Sequence, residues 1–176
     1  MSASDKPVPT TLAQRAGDLR LAFDRSFAQP VAVDSVPLDA LLVVLVGADR
    51  YALRLSEIAG LFVDRKITPL PSAVPELLGV AGFRGTMLPV YDLGLLLGHA
   101  PAGTTRRGVV IAAALPIALA FDEAGAHLRV PRDAIATAQG PAAERRHVHQ
   151  VAHTTDGAWP LVQLSSVLEA IRSRQP

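Results

Sequence analysis

The sequence predicts a mostly β protein in which two related β units follow an amphipathic helix and precede a short C-terminal helix. Short apolar runs separated by turn residues begin at Leu41 and continue through most of the chain, as is typical of β-strands. Two pairs of segments resemble one another in the same order, which indicates an internal repeat. Helical spacing of apolar residues is found near the two ends of the chain.

The composition is that of one domain of ordinary size. The chain has 176 residues, of which 49% are apolar, enough to form a hydrophobic core. The net charge is +1, aromatic residues make up 5%, and the basic residues are scattered, so we expect no nucleic-acid partner. The sequence contains no cysteine, which excludes disulfides, thiolate metal sites and a cysteine nucleophile.

No segment predicts secretion or insertion into a membrane. The N-terminus lacks a basic stretch followed by an apolar core and a cleavage site. The two most apolar windows, "LDALLVVLVGADR" and "GVVIAAALPIALAF", are interrupted by charge, glycine or proline well short of ~18 residues. We therefore expect a cytoplasmic protein with no direct membrane insertion.

Residues 1–39 are predicted to form an extension ahead of the main domain. Residues 1–9 are polar and proline-rich, and we expect them to be disordered. Thr11 and Gln14 form a capping-box pattern that opens an amphipathic helix over about residues 11–28. Its apolar face consists of Leu12, Ala16, Leu19, Phe23 and Phe27. Pro30 ends this helix, and residues 30–39 are predicted to be an extended linker.

After this linker the pattern changes to that of β-strands. "LLVVLV" (41–46), a "GADR" turn and "YALRL" (51–55) together predict a β-hairpin. Further short strands are predicted at 61–67, 79–83 and 86–91.

Capping signals predict two short helices. Asp92 is positioned to cap a helix over "LGLLLG", which Gly98 ends. The C-terminal helix is predicted to begin at about Ser165, with Ser166 and Glu169 as a capping box. Its apolar face consists of Val167, Leu168 and Ile171.

The repeat is carried by two pairs of segments. "YALRLSEIAG" (51–60) resembles "IALAFDEAGA" (117–126), and "PVYDLGLLL" (89–97) resembles "PLVQLSSVL" (160–168), at offsets of 66 and 71 residues. Chance similarity in a chain rich in leucine and alanine is the alternative explanation. If the repeat is real, each half has about 60 residues and buries too little surface alone. Two such units would share a core and leave a groove at their seam.

Few side chains in the sequence are arranged for chemistry. His147, His149 and His153 have a spacing that would suit zinc. The adjoining Arg145 and Arg146 would repel a cation, so a solvated strand is the alternative that we favour.

Catalytic patterns are also missing from the sequence. It contains no G-x-S-x-G, and its serines stand at predicted helix starts, where capping explains them. Asp122 and Glu123 directly follow a predicted strand, which favours a turn over a catalytic acid pair. We therefore expect a protein that is not an enzyme and that holds no metal or cofactor.

The glycines of "GVAGFRG" (79–85) lack the following Gly-Lys-Ser/Thr and helix that a phosphate loop requires. A strand-like "TMLPVY" follows instead, so we predict a tight turn at Arg84–Gly85, with Gly85 at a positive φ. Arg84 stands among apolar residues, and such an arginine either extends to water or offers its donors to a partner. These neighbours are Phe83, Met87, Leu88 and Val90. The segment therefore predicts a binding surface.

"GVAGFRGTMLPVYDL" (79–93) resembles the signature of the CheW family of chemotaxis coupling adaptors, roughly G-V-x-N-x-R-G-x-x-x-P-V-x-D-L. "YALRLSEIAGL" (51–61) resembles a second pattern of that family, and the similarity extends over about residues 40–171. The resemblance implies a CheW-like domain at 40–171, followed by a tail at 172–176. It also implies two SH3-like five-stranded β-barrels around a shared apolar seam, with no catalytic activity.

The resemblance also implies partners. CheW-like proteins link the cytoplasmic tips of chemoreceptors to the regulatory domain of a CheA-type histidine kinase, so the expected location is the cytoplasm, at membrane receptor arrays. One barrel surface is expected to contact the kinase domain, and the groove between the barrels is expected to take the receptor's helical hairpin. The alternative is a specialised CheW-like scaffold that binds a different partner in a non-chemotactic signalling system.

The residues expected to bind a partner come from this resemblance and from the apolar strands beside it. Arg84 and Gly85 match the Arg-Gly of the signature, Gly79 matches its first glycine, and Ile58 matches an apolar position on the receptor-facing side. The full set comprises Ile58, Leu61, Leu78, Gly79, Phe83, Arg84, Gly85 and Val90.

The sequence departs from the family pattern at two glycines. Gly82 replaces the usual asparagine, and Gly60 stands where the family commonly has a glutamate that can pair with the arginine. Either Asp64 or Glu57 takes over this role, or Arg84 is free for a different partner.

Overall fold

The computed structural model describes residues 37–101 and 106–174. The predicted disordered start, the helix over residues 11–28 and the linker up to residue 36 lie outside the described residues. The linker prediction is wrong at its C-terminal end, because the first strand already begins at Leu38.

Eleven strands, two short α-helices and three single 3₁₀ turns (Leu55–Glu57, Arg132–Ala134 and Gly140–Ala142) form the regular structure of the described residues. The strands are β1 (Leu38–Val46), β2 (Asp49–Arg54), β3 (Ile58–Val63), β4 (Leu77–Phe83), β5 (Thr86–Asp92), β6 (Gly108–Ala112), β7 (Ala118–Phe121), β8 (Glu123–Pro131), β9 (Ile135–Thr137), β10 (Val148–Thr154) and β11 (Gly157–Val162). The helices are α1 (Leu93–Leu97) and α2 (Leu164–Arg172). No helix in this part of the chain is long and apolar enough to cross a membrane.

The strands form two sheets, which confirms the prediction of a mostly β protein. The six-stranded sheet has the order β8-β1-β2-β11-β10-β9, and the five-stranded sheet has the order β3-β6-β7-β5-β4. In the described residues the end strands of each sheet are not paired with one another as a ladder. The sheets therefore carry the predicted strands, while closure into two barrels does not follow from the strand pairing.

The topology supports the internal duplication. The sequence repeats equate β2 with β7, β3 with β8 and β5 with β11. When β1 and β4 are likewise equated with β6 and β10, the two sheets have the same strand order apart from the additional β9. Both sheets also contain one parallel pair at the same place, β2–β11 and β5–β7. Each sheet thus combines strands from both halves of the chain.

The central strands are buried on both faces, which explains their continuous apolar sequences. Along β7, Leu119 and Phe121 face a core shared with the six-stranded sheet and the helices, whereas Ala118 and Ala120 face a smaller core within the five-stranded sheet. Along β2, Leu53 faces the same shared core, and Ala52 faces a small core within the six-stranded sheet. Successive side chains of one strand therefore fill two different cores.

The two helices confirm most of the capping predictions. The Asp92 carboxylate accepts a hydrogen bond from the Leu95 amide at 3.2 Å, and Gly98 ends α1 with φ 90°. Helix α2 buries Val167, Leu168 and Ile171, as predicted.

The predicted capping box of α2 is wrong. The helix begins at Leu164, so Ser166 lies within its first turn, and no side chain caps its start. The Ser166 hydroxyl instead contacts Nδ1 of His147 at 2.8 Å.

The strand predicted at 61–67 begins and ends earlier than expected. Asp64 has φ 51°, a conformation that ends β3 at Val63. The chain then returns to the sheet at Thr68, which exchanges two backbone hydrogen bonds with Val80 of β4, at 2.8 and 2.9 Å.

Gly79 makes this approach feasible. Its φ is 142°, and a Cβ at this position would lie 2.0 Å from the carbonyl oxygen of Thr68. A side chain at residue 79 would therefore push the Thr68 segment away from β4.

We predict that Gly79→Ala destabilises the protein by more than Gly157→Ala. Gly157 also has φ 142°, but a Cβ there would meet nothing within 4 Å. Gly157→Ala therefore carries only the backbone cost, on the order of 1–3 kcal/mol, whereas Gly79→Ala adds the clash. Urea unfolding of both variants measures the difference, and equal losses of unfolding free energy would contradict this role of Gly79.

Candidate protein-binding site

The turn between β4 and β5 has the tight geometry that the sequence predicts. Phe83 pairs with Thr86, and the two residues between them, Arg84 and Gly85, have φ values of 48° and 86°. Positive φ at both central positions is the requirement of a type I′ hairpin turn. Arginine seldom adopts this conformation, so the turn holds an exposed cation at some cost in backbone energy.

The guanidinium of Arg84 lies over an aromatic ring. Its Cζ is 5.8 Å from the centroid of the Phe62 ring, and the Cζ of Arg65 is 5.1 Å from the same centroid. Phe62 in turn packs edge-to-face against Phe83, with centroids 5.0 Å apart. Both arginines are thus within cation–π distance of one half-buried ring.

Neither of the two acids suggested by the sequence pairs with Arg84. Asp64 binds Arg107 instead, with Nε of Arg107 3.0 Å from Oδ1 of Asp64. The hydrogen bond and the charge of Arg107 lower the pKa of Asp64. Among the described residues Arg84 forms no salt bridge, and whether it is free for a different partner stays a prediction.

Phe62 also accounts for the glycine at position 60. A Cβ on Gly60 would lie 2.9 Å from Cε2 of Phe62, so the ring occupies the space that a side chain at residue 60 would need. In this chain, therefore, an aromatic ring stands close to the arginine where the family pattern commonly has an acid.

The structure divides the eight residues expected to bind a partner into three groups. Leu61, Arg84 and Gly85 are exposed, and Ile58 and Leu78 are half-buried. The remaining three are buried: Gly79, Phe83 and Val90.

The placement of these three buried residues on the binding surface is corrected by the structure. The exposed fractions of Phe83 and Val90 are 2% and 0%, because both side chains point into the core of the five-stranded sheet. Gly79 is buried because the backbone of Thr68 packs closely against it. These residues shape the site from within and do not present atoms to a partner.

Strand β3 carries an exposed apolar row that the sequence reasoning recovered only in part. Leu61 is 42% exposed and Val63, which that reasoning missed, is 61% exposed. The alternation of "IAGLFV" was the available signal, because it places residues 61 and 63 on one face. Val63 also lines a cleft of about 210 Å³ together with residues of β6 and β8.

The pseudo-equivalent row on β8 has a different character. At the offset of 66 residues, Leu61 corresponds to His127 and Val63 to Arg129, both of which are exposed. The strand pairing is consistent with this correspondence. Leu61 of β3 pairs with Val110 of β6, and His127 of β8 pairs with Leu42 of β1, the strand equivalent to β6. Of these two equivalent rows, the one on β3 is apolar and the one on β8 is polar.

A buried ionic network fixes the elements around this surface. Arg106 hydrogen-bonds Asp92 at the start of α1, with Nη2 2.9 Å from Oδ2, and it also binds Asp122 at the end of β7. Asp122 accepts a hydrogen bond of 2.6 Å from the amide of Gly47, in the β1–β2 turn. Burial acts to lower the pKa of Arg106, but the two carboxylates outweigh it and the net shift is upward. The network thus joins the two sheets and α1.

We predict that Arg106→Gln destabilises the protein by on the order of 3 kcal/mol, because it leaves two buried carboxylates without their cation. Arg107→Gln is the control, since the Arg107–Asp64 pair is exposed to solvent and should contribute far less. Urea unfolding at neutral pH is the measurement. A loss as small as that of Arg107→Gln would refute the structural role of the network.

Glu57 is a half-buried acid with incomplete hydrogen bonding. Its Oε2 is buried without a partner in the described structure. Burial raises its pKa above the ordinary 4.5, while the charge of Arg54 and a backbone hydrogen bond from Leu164 oppose this shift. The native state therefore binds a proton more tightly than the unfolded state does, and its stability falls as pH rises through the native pKa.

We predict that Glu57→Gln raises the melting temperature at pH values above the native pKa of Glu57, where the wild-type side chain is a partly buried carboxylate with an unpaired oxygen. The gain should shrink as the pH falls toward 4.5, because the wild-type side chain is then protonated. Glu169→Gln, at an exposed position on α2, is the control and should show no such trend. Melting curves from pH 4 to 8 test this, and a gain that grew toward low pH would contradict it.

The three histidines considered as metal ligands do not come together. His147 precedes β10 with φ 60° and contacts Ser166, while His149 and His153 are exposed on β10. Within residues 37–101 and 106–174, no group of three or more histidine, aspartate or glutamate side chains could hold a metal ion.

Comparison with known proteins agrees with this architecture. Residues 40–172 match the model of the CheW-like domain family. The crystal structure of the scaffolding protein TtCheW from Thermoanaerobacter tengcongensis is similar, with a TM-score of 0.66 and 20% sequence identity over 76% of this chain and 94% of that chain. The "Probable chemotaxis protein CheW" of Rhizobium etli is 30% identical over 73 residues, which span 42% of this chain and 47% of that relative. Because the family model covers most of the chain, the protein belongs to the CheW-like domain family.

Proposed function

We propose that this protein is a non-enzymatic adaptor that couples the cytoplasmic tips of chemoreceptors to the regulatory domain of a CheA-type histidine kinase. Membership of the CheW-like family supports the proposal. In this proposal the protein acts in the cytoplasm at receptor arrays, and residues 40–171 are the domain that binds both partners.

The observation that carries the proposal is the apolar row on β3. A duplicated fold offers two equivalent edges, and Leu61 and Val63 make one of them apolar, whereas His127 and Arg129 make the other polar. Two exposed aliphatic side chains on one strand face, beside a cleft, are suited to the apolar face of a partner helix.

The energetics fit a weak contact that is repeated many times. Each aliphatic side chain that becomes fully buried contributes ~1.5–3 kcal/mol before ordering costs are subtracted. Ile58 and Leu78 are half-buried already, so they add less than Leu61 and Val63. Avidity within an array would then supply the remaining affinity.

The alternative is a specialised CheW-like scaffold that serves a different partner in a non-chemotactic system. It is favoured by the absence of an acidic side chain at Gly60 and by the cation–π contact of Arg84 with Phe62. If the wild-type protein binds neither a receptor tip nor a kinase regulatory domain, this alternative is supported.

We predict that Leu61→Glu and Val63→Glu each reduce binding to a receptor-tip hairpin at least about tenfold, because each places a charge in the apolar contact. Arg84→Glu is expected to reduce binding as well. The control is His127→Glu, the pseudo-equivalent exposed position on β8. Calorimetric titration measures the affinities, and wild-type affinity in the Leu61, Val63 and Arg84 variants would rule out this surface.

A further inference from the structure

Each sheet has two end strands, and in three of these four strands a recognised feature protects the outer edge from pairing with another chain. Strand β9 has only three residues, and the edge of β4 is covered where Thr68 exchanges two backbone hydrogen bonds with Val80. Strand β8 carries the polar side chains of His127 and Arg129. Strand β3, Ile58–Val63, has six uncharged residues, and no described strand pairs with its outer side.

The hydrogen bonds of β6 show which backbone groups of β3 point outward. The amide of Ala112, at the end of β6, donates to the carbonyl of Ile117 on the β7 side, at 3.0 Å. Backbone groups of successive residues in a strand point to opposite sides, so Val110 and Gly108 also point toward β7. These two residues of β6 therefore form no ladder hydrogen bonds with β3.

Leu61 and Val63 consequently present their backbone as well as their side chains at the outer edge. They pair with Val110 and Gly108, and in an antiparallel ladder both members of such a pair point their N–H and C=O groups away from each other. The side chains of Leu61 and Val63 are 42% and 61% exposed. Two donors and two acceptors thus lie beside two exposed apolar side chains.

The opposite face of β3 carries positive charge beside the same edge. The side chain of Phe62, between Leu61 and Val63, lies on that face, and the Cζ atoms of Arg65 and Arg84 are 5.1 and 5.8 Å from its ring centroid. Both arginines are exposed, and neither forms a salt bridge within the described residues. Arg65 follows the end of β3, and Arg84 belongs to the β4–β5 turn at the far end of the sheet order, so both reach the ring from the side that β6 leaves open.

We propose that an extended segment of a partner protein adds to the outer edge of β3 as an antiparallel strand, and that this segment alternates apolar and acidic residues. Directly opposite residues in such a pair have their side chains on the same face. The residues opposite Leu61 and Val63 are therefore apolar, and the residue between them, opposite Phe62, is acidic and meets the two guanidinium groups.

A strand can contact both faces of β3 because its side chains alternate between them. The inference thus goes beyond the proposed function, in which a helix contacts the side chains of one face only. Main-chain hydrogen bonds supply affinity in this mode, and the alternating side chains supply specificity.

A second copy of this chain fits the edge less well. A two-fold antiparallel pair that places Leu61 opposite Val63 of the other copy also places the two Phe62 rings opposite each other. Each ring has two guanidinium groups near it, so four positive charges would come together. The charge at Phe62 therefore favours a partner that brings a carboxylate.

The test uses the full chain and labelled peptides of about seven residues, the length of an ordinary strand, in which valine and glutamate alternate. A twin peptide carries lysine in place of glutamate. Fluorescence anisotropy at low salt measures the dissociation constants. We expect the glutamate peptide to bind at least about tenfold tighter than the lysine twin, an advantage that added salt reduces. Equal affinities would overturn the proposal.

Methylation of the peptide nitrogens separates strand addition from other modes of binding. In the antiparallel pair the valines, opposite Leu61 and Val63, point their N–H groups toward β3, whereas the glutamates point theirs toward solvent. N-methylation of the valines should abolish binding, and N-methylation of the glutamates should leave an affinity close to that of the parent peptide. Loss of binding with both sets, with neither set or with the glutamate set alone would overturn the proposal.

Variants of the protein separate carboxylate recognition from general charge. Arg65→Gln with Arg84→Gln should abolish the preference for glutamate over lysine. Arg50→Gln with Arg172→Gln removes the same charge at exposed positions elsewhere and should retain the preference. Equal loss in both double variants would overturn the proposal. Dimerisation of the wild-type protein that the glutamate peptide does not displace would also overturn it, in favour of a second copy.

Failure of the proposed function gives a different result. Titration of Leu61→Glu and Val63→Glu with a receptor-tip hairpin tests that function without the peptides. If these variants lose the hairpin while the wild-type protein does not distinguish the two methylated peptides, only the strand addition is wrong. If the wild-type protein distinguishes the methylated peptides but binds no hairpin, the strand addition is supported and the proposed function fails.

Discussion

Neither half of this chain can bury its apolar residues alone, because each sheet takes strands from both halves. The pairs β2–β11 and β5–β7 join residues far apart in the sequence, and the shared core lies between the sheets they complete. Loop closure over such distances is entropically costly until both sheets form. The fold is therefore cooperative in the sense that the core of one half requires the strands of the other.

The buried network of Arg106 with Asp92 and Asp122 lies where elements of the two sheets meet, and it holds them together. The Asp92 carboxylate caps α1 and binds the guanidinium of Arg106. The Asp122 carboxylate binds the same guanidinium and accepts a hydrogen bond from the Gly47 amide, in the β1–β2 turn of the other sheet. One guanidinium thus orients three elements, while the carboxylates satisfy its donors in an environment where an unpaired charge would be costly.

Duplication also explains where a binding surface can arise. Equivalent strands β3 and β8 lie at equivalent sheet ends, yet Leu61 and Val63 have diverged from His127 and Arg129. At the tip of the same region, Phe62 occupies the space beside Gly60 and supports two exposed arginines. The exposed apolar row on β3 therefore distinguishes this end of the fold from its pseudo-equivalent end on β8.

The sequence by itself determined the local features, because each depends on neighbours within a few residues: the first hairpin, the Arg84–Gly85 turn, the Asp92 cap and the Gly98 helix end. The spacing of the repeats also predicted two related β units, and the family signature singled out Arg84 as a residue expected to bind a partner. Only the tertiary structure decided that Phe83 and Val90 point inward, that Asp64 pairs with Arg107, and that Val63 is exposed. These outcomes depend on which strands from distant parts of the chain pack together, and alternation along one strand cannot tell which of its two faces another sheet will cover.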